Sequence, residues 1–133
     1  MADLTKSGTP SLVHGSSLRR TVLAGEAIAK SSPVYILTSG TAFKCISSAV
    51  IGTTHPRFDG FAVDVVAAAG DPVTVFGVGS VINIGVTETL TPGDVFYVSA
   101  TAGAISTSKI AANDVPFAKA VTATDIMIIR EPW

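Results

Sequence analysis

A single cysteine, Cys45, in a chain of 133 residues leaves no partner for an intrachain disulfide. A lone thiol in the alternating run Phe43-Lys44-Cys45-Ile46 suits a reducing cytoplasm and reads as structural. Charge is equally scarce: nine Lys and Arg face ten Asp and Glu, a net of −1, and only 14% of residues are charged. That composition holds no basic footprint for nucleic acid and no polybasic stretch for a membrane surface. No window reaches the ~18 apolar residues of a membrane span. The opening MADLTKSGTPSL is polar and lacks the apolar centre of a signal peptide, so synthesis in the cytoplasm is expected. Aromatic residues make up 7%, and Phe58, Phe61, Phe76 and Phe96 alternate with apolar rather than basic neighbours. Base stacking is not the pattern they form.

Catalytic constellations are missing as well. A Ser, Cys or Thr nucleophile needs a neighbouring base, most often His. The two histidines are His14, near the N-terminus, and His55, in the turn-like Thr53-Thr54-His55-Pro56-Arg57; both read as solvated loop residues. No Gly-x-Ser-x-Gly is present. One Cys and two distant His do not make a zinc site. Asp71 and Asp94 each follow a glycine at a strand entry, where a carboxylate accepts turn N–H bonds more readily than it works in an acid/base pair. The segment AAGDPVTVFGVGSV, Ala68 to Val81, carries a Gly-x-Gly. A dinucleotide fingerprint would continue into a helix, however, and this one runs on through the β-branched Val81-Ile82-Asn83-Ile84. No enzyme activity, cofactor, metal or small-molecule substrate is therefore expected.

What the chain has in abundance is small and β-branched. Eighteen Ala, sixteen Val, fifteen Thr and eleven Ile stand against six Leu. Val, Ile and Thr lose side-chain freedom in a helix and pack well on a pleated surface, so the balance points to sheet. A hydrophobic fraction of 47% beside so little charge suits either a well-filled core or a surface covered by other subunits.

The order of residues sharpens this into units. Pro33-Val34-Tyr35-Ile36-Leu37-Thr38-Ser39-Gly40 and Pro72-Val73-Thr74-Val75-Phe76-Gly77-Val78-Gly79 place Pro, Val and Gly at the same offsets. A looser third copy is Gly93-Asp94-Val95-Phe96-Tyr97-Val98 with Gly103 before Ala104-Ile105. Each unit reads as a turn, a strand, a Gly-centred reversal and a returning strand, which makes the Gly-x-Gly part of a hairpin. Phe58 to Val66 adds an alternating strand in which Gly60 marks a bulge or close backbone approach. Pro116 to Val121 and Asp125 to Arg130 close the chain as two strands around Thr122-Ala123-Thr124. The pattern predicts an all-β fold, a small β-barrel or sandwich of about nine or ten short strands. Helix is confined to single turns at Glu26 to Lys30 and Lys109 to Ala112. The chain divides into a flexible N-terminal arm, residues 1–17, rich in Ser, Thr, Gly and Pro, and a β body, residues 18–133.

Five blocks stand in order along the chain: Leu23-Ala24-Gly25-Glu26-Ala27-Ile28, Pro33-Val34-Tyr35, Phe58-Asp59-Gly60-Phe61-Ala62, Ala68-Ala69-Gly70-Asp71-Pro72-Val73-Thr74-Val75, and Leu90-Thr91-Pro92-Gly93-Asp94-Val95-Phe96-Tyr97-Val98. Together they resemble the capsid decoration, or cement, proteins of tailed bacteriophages, over roughly Leu18 to Ile129. The resemblance implies a small β-barrel with an N-terminal arm, a homotrimer over the three-fold and quasi-three-fold positions of the expanded head, and the major capsid protein as partner. It places the protein in the virion, on the capsid surface, as a structural component. Within the arm, Leu4, Leu12, Val13 and Leu18 are spaced for an extended chain to set them in shallow apolar grooves of the capsid, and Asp125 to Arg130 is expected at the trimer contact. A different class remains open: a carbohydrate or receptor-binding β module of a virion fibre or tail, whose mark would be clustered exposed Trp or Tyr. Here only Tyr35, Tyr97 and Trp133 are available.

Overall fold

A computed structural model of the chain describes residues 3–14, 19–46, 50–51, 55–109 and 115–130. Among these residues the secondary structure is all β, with no helix. The strands in chain order are β1 (Ser11–His14), β2 (Arg19–Ala24), β3 (Ser32–Ile36), β4 (Thr41–Lys44), β5 (Val50–Ile51), β6 (His55–Pro56), β7 (Gly60–Ala62), β8 (Pro72–Phe76), β9 (Val81–Asn83), β10 (Val95–Val98), β11 (Ile105–Ser106), β12 (Ala118–Ala120) and β13 (Asp125–Ile128). Five of them close into a barrel in the order β2-β4-β3-β7-β8, and six form a sheet in the order β1-β9-β13-β12-β10-β11. β5 and β6 pair only with each other.

The two bodies use different side chains. A five-stranded barrel is narrow, and its interior takes only small residues. Ala24, Val34, Ala42 and Ala62, with Val73 and Val75, line it, one or two from each strand, and Ile28 and Val66 join them where an isolated bridge links their backbones. This lining is where part of the Ala and Val content goes. The large side chains fill the seam between barrel and sheet instead: Phe58, Phe61 and Phe76 meet Phe96, Phe117, Ile82, Ile126 and Ile128. Phe117 stacks against Phe58 at 5.1 Å and against Phe61 at 6.1 Å between ring centroids. Offset stacks of this kind add about 0.5–1.5 kcal/mol beyond buried area.

Local signals account for most of the turns. β3 and β4 form the expected hairpin, closed by Gly40 N donating to Leu37 O at 2.8 Å. β10 and β11 form another, and β12 and β13 a third, in which the Thr122 hydroxyl oxygen accepts from Thr124 N and Asp125 N. The Gly-x-Gly unit departs from expectation. It does make a turn, with Gly79 at φ 90° and Ser80 N donating to Gly77 O at 3.2 Å. Yet β8 belongs to the barrel, whereas β9 pairs with β1 and β13 in the other sheet. The turn is a crossover between bodies rather than a hairpin. Local geometry sets a reversal of the chain, but the choice of the next hydrogen-bonding partner lies with contacts distant in sequence.

Other differences follow from pairing too. Among the described residues the strands number thirteen; those beyond the nine or ten expected are β5 and β6, each two residues long, and β1, which arises within the supposed arm. The turn at Glu26 to Lys30 holds the Ile28–Val66 bridge and no helical turn. Of the other helical candidate, residues 110–112 lie outside the described residues. Asp71 and Asp94 leave turn closure to backbone bonds, Asp71 N to Ala68 O and Asp94 N to Thr91 O.

Candidate functional site

The boundary between arm and body does not fall at residue 17. Leu4 is buried in the seam core, and its N–H donates to Ile105 O at 2.9 Å. Asp3 bridges to Ser106 and accepts from the Ser99 hydroxyl at 2.8 Å. Thr5 N donates to both oxygens of Glu88, at 2.9 and 3.1 Å, while Thr87 N donates to Thr5 O. Gly8 N meets Gly85 O at 2.6 Å, so close that a Cβ on either glycine would stand 2.8–2.9 Å from the other's backbone. β1 then adds to the edge of the sheet, Leu12 opposite Ile82 and His14 opposite Val81, with a bulge between them. Asp3 to His14 is thus a strap across the seam, tied by backbone bonds that its Ser, Thr and Gly content leaves free to form.

The four residues assigned to capsid contact part company. Leu4 lies inside the core and is not available to a partner. Leu12 and Val13 are 37% and 55% exposed on β1 and remain accessible. Leu18 lies outside the described residues.

β1 is an edge strand of the six-stranded sheet. Register places His14, Val81, Met127, Lys119 and Val95 side by side across β1, β9, β13, β12 and β10. Partners in register share a face, and their neighbours Ile82, Ile126, Ile128, Ala118 and Phe96 are buried in the seam. The row therefore faces outward, and Val81, Met127 and Val95 are half-buried there. Beside it, β11 parts from β10 beyond Tyr97, opening a groove of about 450 Å³ lined by Asp94, Val95, Tyr97, Thr107, Ser108 and Lys109.

Buried charge gathers at Asp59, a residue that the alternating run concealed. Its Oδ2 accepts Ile36 N at 2.6 Å, and Arg57 Nη2 donates to Ile36 O at 3.0 Å. Both groups serve β3 where β7 has ended, since the β3–β7 pairing stops at Val34 and Gly60. The Arg57 guanidinium lies 5.0 Å over the Tyr35 ring and that of Arg130 lies 5.9 Å over Phe58. An acid and two arginines flanking or interrupting apolar runs were the available signal. Cys45 sits beside this group, fully buried; burial, then the Asp59 carboxylate, pushes its thiol well up, against the weaker pull of Arg130 and Arg57. A thiol held protonated is a poor nucleophile. Among the described residues no three His, Cys, Asp or Glu stand together as metal ligands. No protein-family model matches the chain, and no curated protein matches it.

Proposed function

We propose that this chain is a structural virion protein, a decoration protein that seats as a trimer on the outer surface of a tailed-bacteriophage head and bridges neighbouring major capsid proteins. The observation that carries the reading is the outward row Val81, Met127 and Val95 on a sheet whose other face is already the core. A face on which Val81, Met127 and Val95 stand half-buried with a single cation, Lys119, among them is suited to cover by protein, whether further copies or a capsid surface. The five sequence blocks supply the kind of partner. Leu12 and Val13 are exposed on β1, an edge strand of the same sheet. Bridging many capsomers makes a modest affinity per site into a large collective stabilisation against the pressure of packed DNA.

The test is direct. Purified protein mixed with undecorated, expanded heads should bind saturably, appear as three-fold density between capsomers, and raise the temperature at which heads rupture. Heads that neither bind the protein nor gain stability would reject the reading. Saturable binding to a glycan in place of heads would move the assignment to a fibre or tail module.

A further inference from the structure

One outer wall of the barrel is left uncovered by the sheet. β2 and β8 pair there from Arg19 opposite Phe76 to Leu23 opposite Pro72. Side chains alternate between the faces of a strand. Val22 and Ala24 on β2, with Val73 and Val75 on β8, belong to the barrel lining, so Thr21, Leu23, Pro72 and Thr74 point outward, and all four are exposed. Phe76 turns the same way but enters the seam core, which ends the wall. Leu23 is 53% exposed, between Pro72 on β8 and Thr41 on β4. At the centre of the ribbon the Thr21 and Thr74 hydroxyls lie 3.3 Å apart.

Charge divides this ribbon. Arg19 and Arg20 stand at one end and Asp71 at the other, where its carbonyl accepts Ala24 N at 2.8 Å. The three side chains are exposed, and among the described residues no ion pair engages them. Arg19 lies about 6.7 Å along β2 from the Thr21–Thr74 pair, and Asp71 about 10 Å the opposite way along β8. A two-fold axis perpendicular to the wall through that pair lays the arginine end of one copy over the Asp71 end of another, twice. The apolar stem of each Arg19 then crosses Leu23 and Pro72 of the other copy on its way to the carboxylate. Self-complementarity about one axis is what an isologous contact requires.

We propose that the β2–β8 wall is a pairing surface for a second copy of this chain, closed by Arg19 and Arg20 of each copy on Asp71 of the other. The wall belongs to the barrel and is distinct from the outward row of the six-stranded sheet, and the pairing stands independently of the capsid reading. Two short strands offer little area, so the contact is weak in free solution and gains where copies are already held close together.

The experiment is a concentration series of the full chain from about 20 μM to about 1 mM in low salt, following backbone amide NMR signals. The amides of Thr21, Val22, Leu23 and Thr74 should move together as concentration rises, and high salt should reverse the movement. No movement, or movement confined to β9, β12 and β13, overturns the proposal. Arg19→Glu with Arg20→Glu leaves both ends acidic, and Asp71→Lys leaves both ends basic; each variant alone should weaken the pairing at least about tenfold. Mixed in equal amounts, with one of them labelled, the two should pair again, because each end then meets its opposite on the other chain. Thr74→Arg, which sets like charges at the axis, should also abolish pairing and serves if a charge reversal disturbs the fold. Reversal variants that pair as the parent does, or a mixture that fails to pair, overturn the surface.

Discussion

At the scale of single residues, two leucine-class side chains of the strap have opposite fates. Leu4 is 7% exposed within the seam core, so Leu4→Ala should cost about 2–5 kcal/mol, the range for emptying a core leucine site. Val13 is 55% exposed, and Val13→Ala should change stability by less than about 0.5 kcal/mol. Urea unfolding of the two variants checks both numbers; equal losses would place Val13 in the core or Leu4 outside it. Lys6 provides a second prediction. Burial first, then Lys44, lowers its pKa from 10.5 to about 8, with the Asp3 carboxylate opposing and Lys30 adding a smaller push. Between those values the unfolded chain binds the extra proton and the folded chain does not, so this group's contribution to stability rises with pH from about 8 toward 10.5. In phosphate-free buffer, Lys6→Met should flatten that rise in the unfolding midpoint. A slope unchanged by the substitution would trace the effect to other groups.

The strap is the element on which these residues act together, and its hold is electrostatic at Thr5. The Thr5 amide donates to both Glu88 oxygens, and this holds the Glu88 carboxyl below its ordinary 4.5. A carboxyl depressed in the folded state contributes stability that is present above the unfolded pKa and is lost as pH falls through the folded one. The group is nearly solvent-exposed, so the effect is local and screened by salt. Amide exchange at Thr5 and Thr87, corrected for intrinsic rates, should lose protection between pH 6 and pH 3, roughly the range that brackets a carboxylate titration. In Glu88→Gln the acid-dependent part should vanish. Protection that falls identically in the variant would assign the loosening to another carboxylate.

On the scale of the whole molecule, the outward row of β1, β9, β13, β12 and β10 is the face that the proposed function assigns to contact between copies. Met127 lies at its centre, between Val81 and Lys119, while its neighbours Ile126 and Ile128 are buried. A charge there meets no core residue on that face, so Met127→Glu should leave the fold intact. Burying an unpaired carboxylate in a subunit contact is costly, so the same change should weaken self-association. Sedimentation equilibrium at micromolar concentration is expected to give a trimer for the unsubstituted chain and mostly monomer for the variant, with unchanged far-UV circular dichroism. A trimer of equal strength in both would remove this face from the contact.

The sequence by itself determined the fold class. Its β-branched residues at alternate positions have no use in a helix, and the Gly-centred reversals at Gly40 and Gly103 and the Thr122 to Thr124 turn are local chemistry that needs no distant partner. It also carried, unread, the division of labour between small and large apolar residues: Ala24, Ala42 and Ala62 can line only a narrow barrel, and the phenylalanines need a wider seam. Tertiary structure decided the rest, because the deciding contacts join residues far apart in the chain. Whether the turn at Gly77 to Ser80 folds back or crosses over depends on β9 finding β13 more than forty residues later. Whether Met1 to Ser17 is an arm depends on Leu4 finding Ile105 and on Lys6 finding the carbonyls of Ser31 and Gly103. A polar N-terminal composition reports that a segment cannot fold alone, and it is silent on whether the body offers that segment carbonyls, a carboxylate and a core pocket to dock against.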